Sequence, residues 1–180
     1  MDKKYEFYLT PNGDILVDEL GVGLRPFEER DNEMVRFVNE RIRTLFPEAF
    51  EALCKEYETY SANKWHYEFL IASRFIRCNF GKFDGLTYDI DGLAMHVEDV
   101  PCPQRKECRM NGIICKPKPF GLTEREAMIA RMTSEGMTYK EISAKLGIEH
   151  STIKNFLQNI KQKLKLQSSK DITKLFVIAM

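Results

Sequence analysis

The 180-residue chain contains no run of the roughly 20 apolar residues needed to cross a bilayer, and Met1-Asp2-Lys3-Lys4-Tyr5 leads into no signal-peptide stretch. The expected location is therefore the cytosol, with no membrane partner. Internal repeats and low-complexity tracts are missing too. With 43% hydrophobic and 30% charged residues, the composition excludes disordered and fibrous classes and fits an ordinary folding chain. Net charge is also absent, since 27 Lys/Arg balance 27 Asp/Glu. That balance hides an asymmetry. Residues 1–115 hold 15 basic and 21 acidic side chains, whereas residues 116–180 hold 12 and 6. A polyanion contacting only the carboxy-terminal part would suit this division; chance variation between two surfaces is the plain alternative.

The length accommodates one full domain and one small one. Cys115-Lys116-Pro117-Lys118-Pro119-Phe120-Gly121 interrupts regular structure and leaves the residue before each proline extended, so the expected domains are 1–118 and 119–180. In the first, two apolar runs around Thr10-Pro11-Asn12-Gly13-Asp14 predict a β-hairpin. Helices follow over residues 32–45, from Pro47 through Tyr57, and over residues 63–78 with Asn63 as N-cap. Met34, Val35, Val38, Ile42 and Leu45 should face the core from the first helix; Phe50, Leu53, Cys54 and Tyr57 from the second; Trp65, Phe69, Ala72 and Phe75 or Ile76 from the third. Gly81 and Gly85 end the third helix. Asp91-Gly92 marks a second hairpin between residues 87–90 and 94–97. The first domain is thus expected to be α+β, with small strands packed on three helices.

Local signals sharpen after Leu122. Thr123-Glu124-Arg125-Glu126 and Thr138-Tyr139-Lys140-Glu141 are capping boxes, and Gly136 and Gly147 supply the two helix ends. Ile129 and Met132 face inward from the first of these helices, Ile142 and Leu146 from the second. After a turn of about four residues, Ser151 is expected to cap a longer helix on which Ile153, Leu157, Ile160 and Leu164 recur at helical steps. No acid occurs from Ser151 to Ser169. The outer positions include Thr152, Lys154, Asn155, Gln158, Asn159, Lys161, Gln162, Lys163 and Lys165, whose amides suit adenine edges and whose ammonium groups suit guanine or phosphate. Either a helix-turn-helix or a helical bundle with a solvated charged face fits this pattern.

The order Leu122-Thr123-x-Arg125-Glu126, Gly136-Met137-Thr138-Tyr139-Lys140-Glu141-Ile142-Ser143-x-x-Leu146-Gly147-Ile148, Thr152-Ile153-Lys154 and Asn159-Ile160-x-x-Lys163-Leu164 closely resembles the LuxR/GerE-type domain. The resemblance spans residues 120 to about 180. It implies an all-α, four-helix domain whose third helix, about residues 151–165, reads the major groove of double-stranded DNA. Lys154 and Asn155 would lie near that helix's exposed start, Gln158, Asn159 and Lys163 further along, with Thr152 and Lys140 anchoring the backbone. Two positions depart from the family pattern: Glu149 replaces a small hydroxyl residue and Phe156 a histidine. The family's fourth helix commonly makes a dimer contact, which would fall here among Ile172, Leu175, Phe176, Val177 and Ile178; one face of the helix can fill the domain core and the remainder could meet a second copy, with packing of that helix onto the first domain as the alternative.

Cys78, Cys102, Cys108 and Cys115 form a candidate four-cysteine site for one structural Zn²⁺, although the spacings of five and six residues between the last three exceed the usual two to four. Separate buried thiols, or redox sensing at Cys108 beside Arg105, Lys106 and Arg109, are the competing readings. Cys54 is expected in the core. His96 is a weaker candidate ligand; His66 and His150 have less support still, with His150 placed to touch phosphate.

These features imply a bacterial DNA-binding transcription regulator whose first domain receives a signal, contacts a partner such as RNA polymerase, or mediates assembly. Residues 1–118 lack a receiver-like arrangement of paired acids, phosphoacceptor Asp and late Lys, and show no acyl-ligand pocket pattern. A sigma-factor-like protein is the neighbouring alternative, for which Trp65, His66, Tyr67 and Phe69 would be the melting residues. A metal-dependent enzyme fused to a DNA-targeting domain would need an acid near zinc, such as Glu98, Asp99 or Glu107, but no known metal-enzyme spacing connects them. No catalytic residue is therefore assigned.

Overall fold

Alternation along the first apolar runs gives strands, and the turn between them fixes their register. In a computed structural model describing residues 3–81 and 88–179, with side chains to Phe176, β1 (Lys4–Leu9) pairs antiparallel with β2 (Ile15–Glu19). Leu9 lies opposite Ile15, and the Thr10 N–H donates to the Asp14 carbonyl at 2.9 Å while Gly13 takes φ 86°. β3 (Gly23–Pro26), which the sequence reading does not anticipate, adds to β2. Its Leu24 is exposed and its side chains do not alternate in burial, so hydrophobic period gives no sign of it.

Three helices follow β3. α1 (Asn32–Leu45) buries Met34, Val35, Val38, Ile42 and Leu45, the expected stripe. α2 (Pro47–Glu56) starts at its proline and buries Ala49 and Leu53; a 3₁₀ turn at Glu58–Tyr60 leads to α3 (Lys64–Asn79). Asn63 caps α3 by accepting from the His66 N–H. Ala72, Phe75 and Ile76 point inward as expected, whereas Trp65 is 43% exposed. It sits in the first turn, beyond the edge of the core, where the Arg36 guanidinium lies 5.0 Å from its ring.

The chain then returns to the sheet. β4 (Ile90–Asp91) pairs with β1, and β5 (Ala94–Met95) with β4, giving an antiparallel sheet in the order β3-β2-β1-β4-β5. The hairpin loop is Gly92-Leu93 rather than Asp91-Gly92, because Asp91 still pairs with Ala94 and Gly92, at φ 60°, opens the loop. Thr87 and Gly85, parts of that expectation and of the helix stop, lie outside the described residues. Phe7 and Phe80 stack with centroids 5.8 Å apart at the centre of the core.

The chain divides into two compact units, residues 1–117 and 118–180. Lys118 is extended before its proline, but Lys116 takes φ 53° and its N–H donates to the buried Asn79 Oδ1 at 3.2 Å, a tertiary bond that overrides the local preference for extension before Pro117. In the second unit a 3₁₀ turn at Pro119–Gly121 precedes α4 (Glu124–Ser134), α5 (Tyr139–Leu146), α6 (His150–Lys163) and α7 (Ser169–Ala179). Leu122, Ile129, Ile142, Ile153, Leu157, Ile160, Ile172 and Phe176 form its core. Among the described residues no helix is long and apolar enough to cross a membrane.

Candidate nucleic-acid interface

Two short local motifs set the geometry of the second unit. Thr123 and Glu126 form a complete capping box at the start of α4, and Thr138 and Glu141 form another at α5. Hydrogen bonds from Thr138 hold the Glu141 carboxyl below the ordinary range. Gly147 ends α5 in the left-handed region at φ 63°, and only Ile148 and Glu149 separate it from α6. The Ser143 hydroxyl donates to the Ile148 carbonyl at 2.6 Å, securing the turn between the two helices.

α6 begins at His150, one residue before the expected cap. Glu149, not Ser151, is the N-cap, and its side chain makes no capping bond. Instead the Ser151 hydroxyl donates to the Glu149 carboxylate at 3.2 Å. Ile153, Leu157 and Ile160 bury the inner face, while Lys154, Asn155, Gln158, Asn159 and Gln162 are exposed on the opposite one. Thr152 is half-buried at the margin, and Lys140 is exposed in the first turn of α5. The unit thus offers a convex helix face with one ammonium and four amides.

Lys163 differs from the other basic residues of α6. Its ammonium lies 2.7 Å from Glu126 Oε2, which also accepts from the Thr123 N–H at 2.8 Å and the Thr123 hydroxyl at 2.9 Å. Burial resists the charge on Glu126, but Lys163 and Thr123 outweigh it and hold the carboxyl below its ordinary value. One oxygen therefore joins the start of α4 to the end of α6. Of the apolar residues of α7, Ile172 is fully buried and Phe176 is 3% exposed; these two form the core-filling face and are not free for a dimer contact. Four helices of this size cannot close a core without that face. Leu175 is half-buried; Val177 and Ile178 have side chains outside the described set.

A short α5, a three-residue turn and a longer helix with an acid-free polar face define a helix-turn-helix. Residues 121–176 match the family model of bacterial regulatory proteins, luxR family. The second unit is therefore a luxR-family, GerE-type helix-turn-helix domain. The match leaves the first unit outside it, and neither the curated proteins nor the solved structures contain a match.

The cysteines belong to the first unit. Cys54 is half-buried on α2, where its carbonyl accepts from the Tyr67 hydroxyl at 3.2 Å. Cys78 and Cys115 are close enough to hydrogen-bond, and burial with Cys115 beside it pushes the Cys78 thiol up to about 12. Cys108 is met by Arg74 of α3, whose Nη2 is 3.9 Å from the sulfur. Its neighbours in sequence are engaged elsewhere, Arg105 with Asp99 and Arg109 with Glu56. Cys102 is exposed. Among the described residues no three His, Cys, Asp or Glu side chains are drawn tightly enough together to hold a metal ion. His96 donates its backbone N–H to the Asp89 carbonyl, and the His66 ring lies 2.9 Å from Glu29. Sequence reasoning missed Arg74, although Arg74 and Cys78 stand one helical turn apart.

The first unit also holds a cleft of about 430 Å³ between α1, α2 and α3, lined by Arg36, Asn39, Arg43, Phe50, Tyr67 and Glu68 among others. Asn39 is 6% exposed; its Nδ2 donates to the Glu68 carbonyl at 2.8 Å, but its Oδ1 and the Glu68 Oε2 are buried without partners.

Proposed function

We propose that the chain is a DNA-binding transcription regulator of bacterial type in which α6 enters the major groove. The observation that carries this reading is the exposed, acid-free face of α6 within a unit that matches the luxR-family model. Lys154 and Asn155 would meet base edges near the start of the helix, and Gln158 and Asn159 further along. Lys140 and Thr152 would contact phosphates and set the register. Lys163 would chiefly hold the reading helix in place through Glu126, with any phosphate contact secondary.

Two copies on a palindromic site would place their α6 helices about 34–36 Å apart, one turn of DNA. Because Ile172 and Phe176 are committed to the core, such a dimer would have to use other residues than these two, such as the half-buried Leu175. Residues 1–117 would then regulate binding or assembly. The cleft between α1, α2 and α3, lined by polar as well as apolar side chains, supports an input role for a small ligand. No residue of the chain is assigned a catalytic part.

The test is selection of bound sequences from a random duplex pool, followed by affinity against salt for wild type and Lys154→Ala. Selected duplexes should lose affinity steeply with salt, and Lys154→Ala should weaken binding by about 1–3 kcal/mol if it reads a base. Absence of salt-sensitive duplex binding by wild type would overturn the reading. Unchanged affinity and selectivity in Lys154→Ala would remove α6 as the reading helix.

A further inference from the structure

The ring of Tyr5, on β1, is held in the apolar core. Its centroid is 6.3 Å from that of Phe7, and Phe37 of α1 meets it edge-on at 6.0 Å. The residue is 2% exposed, yet its hydroxyl makes no hydrogen bond among the described residues. A phenylalanine would fill the same space without the cost of an unpaired polar group. The hydroxyl is not sealed from solvent, however, and Tyr5 lines a cleft of about 440 Å³ at the start of α1. Burial and then the Glu19 carboxylate push the phenol up to about 12, so it remains a donor.

The rest of the lining is charged. Three basic and three acidic residues border the cleft, which suits a ligand carrying both signs better than a simple anion or cation. Two of the bases are committed: Arg25 donates to both Asp31 oxygens at 2.9 Å and lies 3.5 Å from Glu19, and Arg30 pairs with Glu28. The Lys3 ammonium lies 5.1 Å from the centre of the Phe37 ring. Glu33 is exposed in the first turn of α1 and has no ion pair among the described residues. Asp31 turns its carboxylate to Arg25 and the Glu28 N–H, so α1 begins without a side-chain cap. Uncapped helix amides, a donor hydroxyl and an uncommitted carboxylate therefore border one cleft.

We propose that this cleft binds a free α-amino acid, whose carboxylate accepts from the first amides of α1 and the Tyr5 hydroxyl and whose ammonium pairs with Glu33. Lys3 adds a positive group for the carboxylate at the rim. The occupant supplies the acceptor that Asp31 withholds from α1 and the partner that the buried hydroxyl lacks. The site is distinct from the cleft between α1, α2 and α3. No residue of the second unit takes part, so the binding does not rest on the DNA contact.

The test adds each standard amino acid singly to the full chain, first by thermal shift and then by calorimetric titration. At least one should bind, and its counterparts without the amine or with the carboxylate amidated should bind at least several-fold more weakly. Tyr5→Phe should weaken binding about 10- to 100-fold, the ordinary worth of a hydrogen bond to a charged group, and leave the ligand-free chain at least as stable as wild type. Glu33→Gln, at an exposed position, should weaken the amino acid several-fold but leave its amine-free counterpart unchanged. Arg43→Gln, in the other cleft, should change nothing. Binding of no amino acid by wild type overturns the proposal. So does wild-type affinity in Tyr5→Phe, or a loss in Arg43→Gln equal to that in Tyr5→Phe, which would move the ligand to the other cleft.

Discussion

The Lys163 ammonium and the Glu126 carboxylate meet at 2.7 Å, and the same Glu126 oxygen completes the capping box of α4. Glu126 is 5% exposed, so its charge depends on these partners. Glu126→Gln should cost about 1–2 kcal/mol, the ordinary value for charged hydrogen bonds discounted because Lys163 is partly solvated. Hydrogen exchange of α4 and α6 amides in the full chain measures it. The native carboxyl is held below its ordinary value, so its contribution is present above the unfolded value of about 4.3 and is lost as pH falls through the native one. Wild type should therefore lose protection in acid more steeply than Glu126→Gln. Parallel acid profiles would show that the pair adds nothing.

Glu149 gives the opposite expectation, because it occupies the cap of α6 without capping it. Glu149→Ser should slow exchange at the first α6 amides by a gain of a few tenths to about 1 kcal/mol, the capping bond being offset in part by loss of a carboxylate from the positive helix end. Removal of that carboxylate should also tighten duplex binding. Weaker binding by Glu149→Ser would mean that the acid itself takes part in recognition.

How far these features are legible in the sequence depends on how local their causes are. Both capping boxes, the Pro47 start of α2, the Asn63 cap and the α1 stripe follow from residues within a few positions of each other. The start of α6 differs from the expected one because Ser151 is a better capping residue than Glu149, yet the short link from Gly147 requires the helix to begin earlier. Lys163 is readable as a basic outer residue, but its Glu126 partner lies 37 positions away and has no periodic signature. β3 and the meeting of Arg74 with Cys108 are likewise products of chain topology. The apolar character of α7 shows that one face can fill the domain's core; it does not single out Ile172 and Phe176 as that face, because apolar residues stand on nearly every side.

Gly81 and Gly13 separate two costs of adding a side chain. Both have positive φ, at 118° and 86°, but a Cβ at Gly81 would lie 2.7 Å from Leu9 Cγ, whereas one at Gly13 meets nothing within 4 Å. Gly13→Ala should cost about 1–2 kcal/mol from backbone strain. Gly81→Ala should cost about 2–4 kcal/mol, since it must also displace Leu9 at the bridge between Tyr8 and Gly81. Denaturant midpoints followed by Trp65 emission report on this unit, and equal losses in the two variants would show that the contact with Leu9 relaxes freely.

Asn79 ties residues 97–117 to α3. It is fully buried, donates to the Phe75 carbonyl at 3.0 Å and the Ile114 carbonyl at 2.9 Å, and accepts from the Lys116 N–H. Asn79→Ala leaves the buried Ile114 carbonyl without that donor, at a cost of about 1–3 kcal/mol. Asn79→Asp keeps an acceptor for Lys116 but cannot donate to either carbonyl, so it should be no better. Both variants should speed proteolytic nicking within residues 97–117 more than elsewhere, because local opening follows the lost ties. Nicking at the wild-type rate in both would show that the Asn79 hydrogen bonds do not hold that segment closed.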